Sequence, residues 1–407
     1  MEPRSIYVRL WQELSADKSM ILMAGPRQAG KTTLAKLIAS GFANSAYCNW
    51  DIADDRVKLL RNPTFFAEMV RKDDSRPLVV LDEIHKHRHW KNLIKGLYDR
   101  FSDQYRFLVT GSGRLDLYQR AGDSLAGRYL LFHLWPFTLS ELGDANRPLK
   151  DFLGDPLRVS MDRIRELRSV WEQLEAAGHF PEPYLKGSVA AWRRWSAAYS
   201  RQLIREDIRD LAAIRNVSDM ENLYLLLPSR IGSPLSVSSL AEDLRVAYNT
   251  IQGWLDLFER FYLGFSIGTW TQRLARAIRK ERKFYLFDVP RIQDAGARFE
   301  NMVALELWRC VHAWNDRGDG DFSLHFVKTK EGQEVDFLLA SGRKPFLLVE
   351  AKMSDPVPGK GLLALQRQLS VPAVLVVRDL EGFRRLPNGA SQILVAPACQ
   401  WCAFLPG

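Results

Sequence analysis

The sequence predicts an α/β multidomain protein: a parallel-sheet core that binds phosphate, then a helical segment, a helix-turn-helix and a second α/β domain. Three observations carry this expectation. The apolar run "MILMA" leads into "GPRQAGKTTLAKLIA", a second run "LVVL" ends in Asp82 and Glu83, and "EVDFLLASGRKPFLLVEAK" alternates as two strands around a tight turn.

Each element of the core follows from its residues. Gly25, Gly30, Lys31 and Thr32 fit the pattern G-x-x-x-x-G-K-[ST], and the segment Gly25, Pro26, Arg27, Gln28, Ala29, Gly30, Lys31, Thr32, Thr33 stands between an apolar strand and a helical repeat of Leu34, Leu37 and Ile38. Glycines let backbone N–H groups curl around phosphate oxygens, and the helix N-terminus adds its positive end. Lys31 is placed to reach the β- and γ-phosphates of ATP, and the Thr32 hydroxyl to ligate Mg2+. At the end of the second strand, Asp82 is expected to hold Mg2+ through water and Glu83 to polarise the attacking water. The alternation His85, His87, His89 puts the three rings on one side only if that segment is extended; a loop or helix start is the simpler expectation.

A third strand, "YRFLVTGSGRL", ends in polar residues, and at this point the chain resembles the AAA+ ATPases. The resemblance implies a first sensor at this strand end that contacts the γ-phosphate or its water, with Ser112 the first choice and Thr110 the second. "SLAGRYLLFHLWPFTLSEL", "GHFPEPYL" and "YSRQLIREDIRD" are similar to stretches of a prokaryotic AAA+ family that carries a C-terminal restriction-endonuclease-like region, and the likeness spans nearly the whole chain. It implies that Arg128 is the finger that reaches a neighbouring subunit's γ-phosphate, with Arg27 the alternative. A homo-oligomer follows, a hexameric ring in this reading.

The middle of the chain has helical spacing from 157 to 177 and from 190 to 227. "SPLSVSSLAEDLRVAYNTIQGWLDLFERFYLGFSI" then reads as two helices around a turn at Arg245–Tyr248, with Ile251, Trp254, Leu255 and Phe258 turned inward. Tyr248, Asn249, Thr250 and Gln252 lie at the second helix's N-terminal end, where such helices meet base edges. "YLGFSI" continues into a strand, as in a winged helix. The run "RLARAIRKERK" supplies Arg273, Arg276, Arg279, Lys280, Arg282 and Lys283 against Glu281, a composition suited to backbone phosphates.

In the tail, a hairpin centred on Arg343 places Asp336 opposite Glu350 and Glu334 opposite Lys352. Two carboxylates and a lysine in that arrangement suit metal-dependent phosphodiester cleavage. The layout D-x(13)-E-x-K is similar to the restriction-endonuclease-like superfamily, which implies catalytic roles for Asp336, Glu350 and Lys352. It also implies a metal site of Glu300, Asp336 and Glu350, with Gln366 assisting. Charged pairs across an exposed hairpin are the plain alternative.

The expected division is 1–150 for an AAA+ nucleotide-binding core, 151–225 for a helical lid, 226–290 for a winged helix and 291–407 for a restriction-endonuclease-like domain. Across 407 residues the formal net charge is +9, a mild pointer toward polyanions such as DNA. With only 4 cysteines a reducing compartment is expected, and Cys399 and Cys402 read as packed thiols rather than half of a zinc site. No apolar run approaches the roughly 20 residues of a membrane helix, and the N-terminus has no apolar signal core, so a cytoplasmic protein is expected. The combined expectation is a Mg2+-dependent ATPase that remodels or translocates DNA. An ATP-gated nuclease and a regulatory ATPase that binds a protein partner are the alternatives.

Overall fold

The computed structural model describes residues 4–111, 125, 127–144, 147–209, 216–271, 281–329 and 332–407. They form two compact units, Met1–Pro136 and Phe137–Gly407. Ser112 lies outside the described residues, as do Arg273, Arg276, Arg279 and Lys280.

The first unit is built on five parallel strands: β1 (Met20–Ala24), β2 (Ser45–Asn49), β3 (Leu78–Asp82), β4 (Arg106–Thr110) and β5 (Leu130–His133), in the order β2-β3-β4-β1-β5. A parallel sheet is covered by its crossover helices on both faces, so its central strands read as unbroken apolar runs. All five residues of β1 are buried. Met20, Leu22 and Ala24 join one core with Val79, Leu81, Phe107 and Val109. Ile21 and Met23 join the other with Leu34, Ile38, Val80 and Leu108. The register pairs Met23 with Thr110 and Asn49 with Asp82, which brings the polar strand ends to one edge of the sheet. Ligands of open α/β sheets bind at that edge.

The chain leaves β1 through Gly25, whose φ is 136°, and a Cβ there would stand 2.3 Å from the Leu134 carbonyl oxygen. Glycine is therefore required twice over, by conformation and by space. Gly30, at φ 98°, then opens the helix Lys31–Ser40.

The second unit contains an eight-stranded mixed sheet. Its strands are β6 (Gly264–Thr269), β7 (Arg282–Leu286), β8 (Phe322–Lys328), β9 (Glu334–Ser341), β10 (Lys344–Lys352), β11 (Ala373–Val377), β12 (Arg384–Asn388) and β13 (Ser391–Pro397), in the order β12-β13-β11-β10-β9-β8-β6-β7. The helices before the sheet include Ile164–Ala177, Val189–Gln202 and Val217–Leu226. The expected helix-turn-helix is present as Val237–Leu244 and Tyr248–Arg260, with Ile251, Trp254, Leu255 and Phe258 buried. The turn passes through Arg245 at φ 53°.

The strand expected after the helix-turn-helix is present as β6, and most of the expected cationic run lies outside the described residues. β6 and β7 pair antiparallel, but β6 also runs parallel to β8, so both belong to the large sheet. Phe265, Ile267, Phe284, Tyr285 and Leu286 are all buried, which packs both strands into the sheet. Lys283 departs from the expectation of a phosphate-facing cation, for it is buried as well.

The tail hairpin turns at Gly342 and Arg343, with Ser341 opposite Lys344. The turn centre falls half a residue before the expected one. A bulge between Pro345 and Leu347 absorbs the difference, and from Leu347 onward the pairing is the expected one, with Phe337 opposite Val349. The alternating histidines do not form an extended strand. Ile84–Lys86 is a single 3-10 turn, His85 is buried, and the His87 ring lies 4.8 Å from that of Trp50. The four cysteines are buried and free of disulfides, as packed thiols should be.

Behind the sheet runs the helix Ala295–Arg317, whose Arg309 is fully buried. Its guanidinium donates to the Phe137 carbonyl at 2.6 Å and to Glu306 Oε1 at 2.5 Å. Removing one member of a buried ion pair strands the other charge and costs about 3–5 kcal/mol. Arg309→Ala is expected to lower the unfolding free energy of the second unit, read from urea titration, by that amount, while Arg309→Ala combined with Glu306→Leu recovers part of it. A double-variant loss equal to the sum of the Arg309→Ala and Glu306→Leu losses would show that the pair is not coupled.

Candidate functional site

The edge of the first sheet gathers the nucleotide-site residues. Asp82 ends β3 and is 1% exposed. Its Oδ2 accepts from Thr32 Oγ1 at 2.8 Å, Tyr47 Oη at 2.5 Å and Asn49 Nδ2 at 3.3 Å. Its Oδ1 accepts from Thr110 Oγ1. One carboxylate thus ties together the start of the Lys31–Ser40 helix and the ends of β2, β3 and β4. Burial and the hydrogen bond to Asp82 push the Tyr47 phenol well above its usual pKa, so it stays a donor.

Lys31 is buried, and its Nζ donates to the carbonyls of Gly25 at 3.0 Å and Pro26 at 2.8 Å. The ammonium is thereby held over the mouth of its own loop. Within the loop, the Ala29 N–H reaches back to the Pro26 carbonyl at 3.3 Å and Gln28 takes a positive φ of 61°. Arg27 is half-buried, and Thr33 is exposed on the first helical turn. The loop is braced from outside by Arg4, whose guanidinium donates to the Ala29 carbonyl at 2.6 Å and the Trp135 carbonyl at 2.8 Å.

Glu83 follows Asp82 in a left-handed conformation, φ 57°. Its N–H donates to Thr110 Oγ1 at 3.1 Å, and its carboxylate pairs with Lys86 at 3.3 Å. Thr110 therefore serves as a brace between the two acids. Arg128, the expected finger, forms a two-point ion pair with Asp99, at 2.7 Å from Nε and 3.3 Å from Nη2.

Whether this site suits Mg2+ can be judged from its donors. Thr32 and Asp82 present hard oxygens 2.8 Å apart beside a glycine-shaped cradle, and that is the donor chemistry Mg2+ selects. The residues fit: Thr32 would hold the ion directly and Asp82 through water, with Lys31 and the loop N–H groups on the phosphates. The metal supplies charge neutralisation for the transferring phosphoryl group.

The carboxylates of the second unit are arranged otherwise. Glu300, Glu334 and Asp336 surround the ammonium of Lys283, at 3.2, 2.8 and 3.7 Å. Tyr285 Oη donates to the same Glu300 oxygen at 2.8 Å. The Ala351 N–H donates to Asp336 at 2.9 Å. Burial and then the charge of Glu300 push the Asp336 carboxyl up to about 7. For Lys283 burial acts downward, and the attraction of Glu300, Asp336 and Glu334 outweighs it, leaving the group above its ordinary value.

Glu350 and Lys352 do not join that cluster as hydrogen-bond partners. Glu350 accepts from the Gly359 N–H at 2.9 Å, and Lys352 donates to Asp355 at 3.1 Å and to the Val357 carbonyl at 2.6 Å. Gln366 is buried and accepts from Asn388 at 2.5 Å. Among the described residues no group of three or more His, Cys, Asp or Glu side chains is disposed to hold a metal ion. Of the expected metal set, Glu300 and Asp336 flank the Lys283 ammonium and Glu350 accepts from the Gly359 N–H.

Four contributors were missed from the sequence. Tyr47 and Asn49 share one face of β2, and their two-residue spacing was the available signal. Lys283 and Tyr285 share one face of β7 by the same period, but the basic run around Lys283 pointed to solvent instead. At the helix-turn-helix, Tyr248, Asn249 and Gln252 are exposed as expected. The adjacent cleft, about 620 Å³, is lined by Tyr248, Gln252, Asp256, Glu259, Glu281 and Arg282 among others. No helix among the described residues is long and apolar enough to cross a membrane.

Comparisons with known proteins cover most of the chain. Residues 17–143 match the family model of an AAA domain. Residues 168–290 and 295–396 match two domains of unknown function, DUF8612 and DUF4143. An uncharacterised protein of Mycobacterium tuberculosis is 23% identical over 396 residues, covering 94% of this chain and 80% of that one. The Holliday junction branch migration complex subunit RuvB of Bdellovibrio bacteriovorus is 23% identical over 310 residues, covering 67% of this chain and 84% of that one. Among solved structures, a Walker-type ATPase of Pyrococcus abyssi covers 72% of this chain and 95% of its own at 15% identity, with a TM-score of 0.44. The phosphate loop and the strand-end acids fall within residues 17–143, so the first unit carries an AAA domain, and the chain is similar to prokaryotic AAA+ ATPases.

Proposed function

We propose that this protein is a Mg2+-dependent ATPase that binds DNA and remodels or translocates it, with four-way DNA the first substrate to try. The observation that carries the reading is the Asp82 carboxylate bonded to Thr32, which sets the hydroxyl and the acid on the same side of the phosphate loop. In the hydrolytic step a water oxygen attacks the γ-phosphorus, the bond to the β-phosphate oxygen breaks, and ADP and phosphate leave. Glu83 orients the water and draws on its proton, and Lys31 leaves the loop carbonyls for the phosphate oxygens. Arg128 acts from a neighbouring subunit of an oligomer, six in a ring in this reading, after exchanging Asp99 for the γ-phosphate.

DNA as partner is supported by the exposed Tyr248, Asn249 and Gln252 on a helix-turn-helix and by the name of the RuvB relative. One observation favours a regulatory ATPase with a protein partner instead: the cleft beside that helix carries Asp256, Glu259 and Glu281, which repel phosphates.

ATP turnover measured with and without single-stranded, duplex and four-way DNA tests the main reading. Stimulation by one of them is expected, and Glu83→Gln is expected to retain ATP binding while turnover falls by about 10²-fold or more. Turnover unchanged in Glu83→Gln removes the assigned role. DNA affinity against salt separates the two partners. Neutralising about six phosphates gives a log–log slope near −5, whereas a flat dependence favours the protein partner.

A further inference from the structure

The second unit holds three acidic side chains around one buried cation that belongs to the chain itself. Lys283 stands on β7, Glu334 and Asp336 on β9, and Glu300 on the helix Ala295–Arg317, so three elements distant in sequence meet at one ammonium. The Lys283 side chain is only 1% exposed. Its flank is closed by the Phe326 ring, whose centroid lies 5.6 Å from Nζ. A divalent cation bound by Glu300 and Asp336 would have to share this space with a full positive charge a few ångströms away, in surroundings that screen poorly. The lysine of the D-x(13)-E-x-K layout is also committed elsewhere, to Asp355 and the Val357 carbonyl.

We propose that Lys283 is the resident cation of this cluster, taking the place that a divalent metal fills in the endonuclease-like pattern, so that the domain does not cleave phosphodiesters and removal of the ammonium opens a metal site. The partly buried carboxylates are stabilised by a positive partner, and a covalently attached one is present at every ion concentration. The cluster then joins β7 and β9 to the long helix as a permanent tie. This inference does not depend on the ATPase reading, which concerns the other unit.

The test is Mn2+ binding to the full-length chain without nucleotide, measured by equilibrium dialysis. Wild type and Asp336→Asn are expected to bind the same number of ions per chain, because Asp336 holds none. Lys283→Met, whose neutral side chain keeps much of the volume, is expected to gain one Mn2+ per chain, and Lys283→Met with Asp336→Asn to lose it again. Two results overturn the proposal: a Mn2+ lost from wild type on Asp336→Asn, or a folded Lys283→Met that gains none. Should Lys283→Met fail to fold, the wild-type comparison still decides. Plasmid incubated with wild type and Mn2+ is expected to stay intact, and cleavage abolished by Asp336→Asn would contradict the assignment.

Discussion

One buried carboxylate organises the nucleotide site. Asp82 accepts hydrogen bonds from Thr32, Tyr47, Asn49 and Thr110, which come from a helix start and three strand ends. Hydrogen bonds to an ionised acceptor are roughly twice as strong as neutral ones, and each restricts a different element of the sheet edge. Moving Asp82 would release the phosphate loop's helix on one side and Thr110 on the other. Because the Glu83 N–H also rests on Thr110, the acid assigned to the water is positioned through the same network.

The two units use buried charge in opposite ways. In the first, the carboxylate is surrounded by neutral donors, so the charge itself is left to attract a cation. In the second, Glu300, Glu334 and Asp336 share one internal ammonium, which offsets part of their charge. A site with neutral donors can exchange its cation with each nucleotide, while a lysine cannot leave. The contrast separates a place for repeated chemistry from a place of permanent cohesion, and it follows from which side chain the fold sends into the cluster.

Much of the first unit was legible in the sequence because its signals are local. The loop from Gly25 to Thr32 is contiguous, and the acids Asp82 and Glu83 directly follow an apolar run. The tail hairpin was also legible, since a tight turn fixes its register. Only the bulge near Phe346 was hidden, and it brought the pairing back to the expected one. What stayed hidden depends on pairing between distant segments. Tyr47 and Asn49 matter because β2 lies beside β3, and nothing within β2 states its neighbour. Lys283 looks like one more member of a basic run until β6 joins β8 and carries β7 into the sheet. Local composition reported the charge of that segment correctly and its exposure incorrectly.

The central claim is that Asp82 and Thr32 together make phosphate binding depend on Mg2+. ATP affinity measured by calorimetry, with Mg2+ and with EDTA, tests this most directly in wild type and Asp82→Asn. Wild type should bind more tightly with Mg2+, and the substituted protein should bind equally under both conditions. Full retention of the Mg2+ enhancement by Asp82→Asn, or no ATP binding by wild type in either condition, would contradict this role of Asp82 and Thr32.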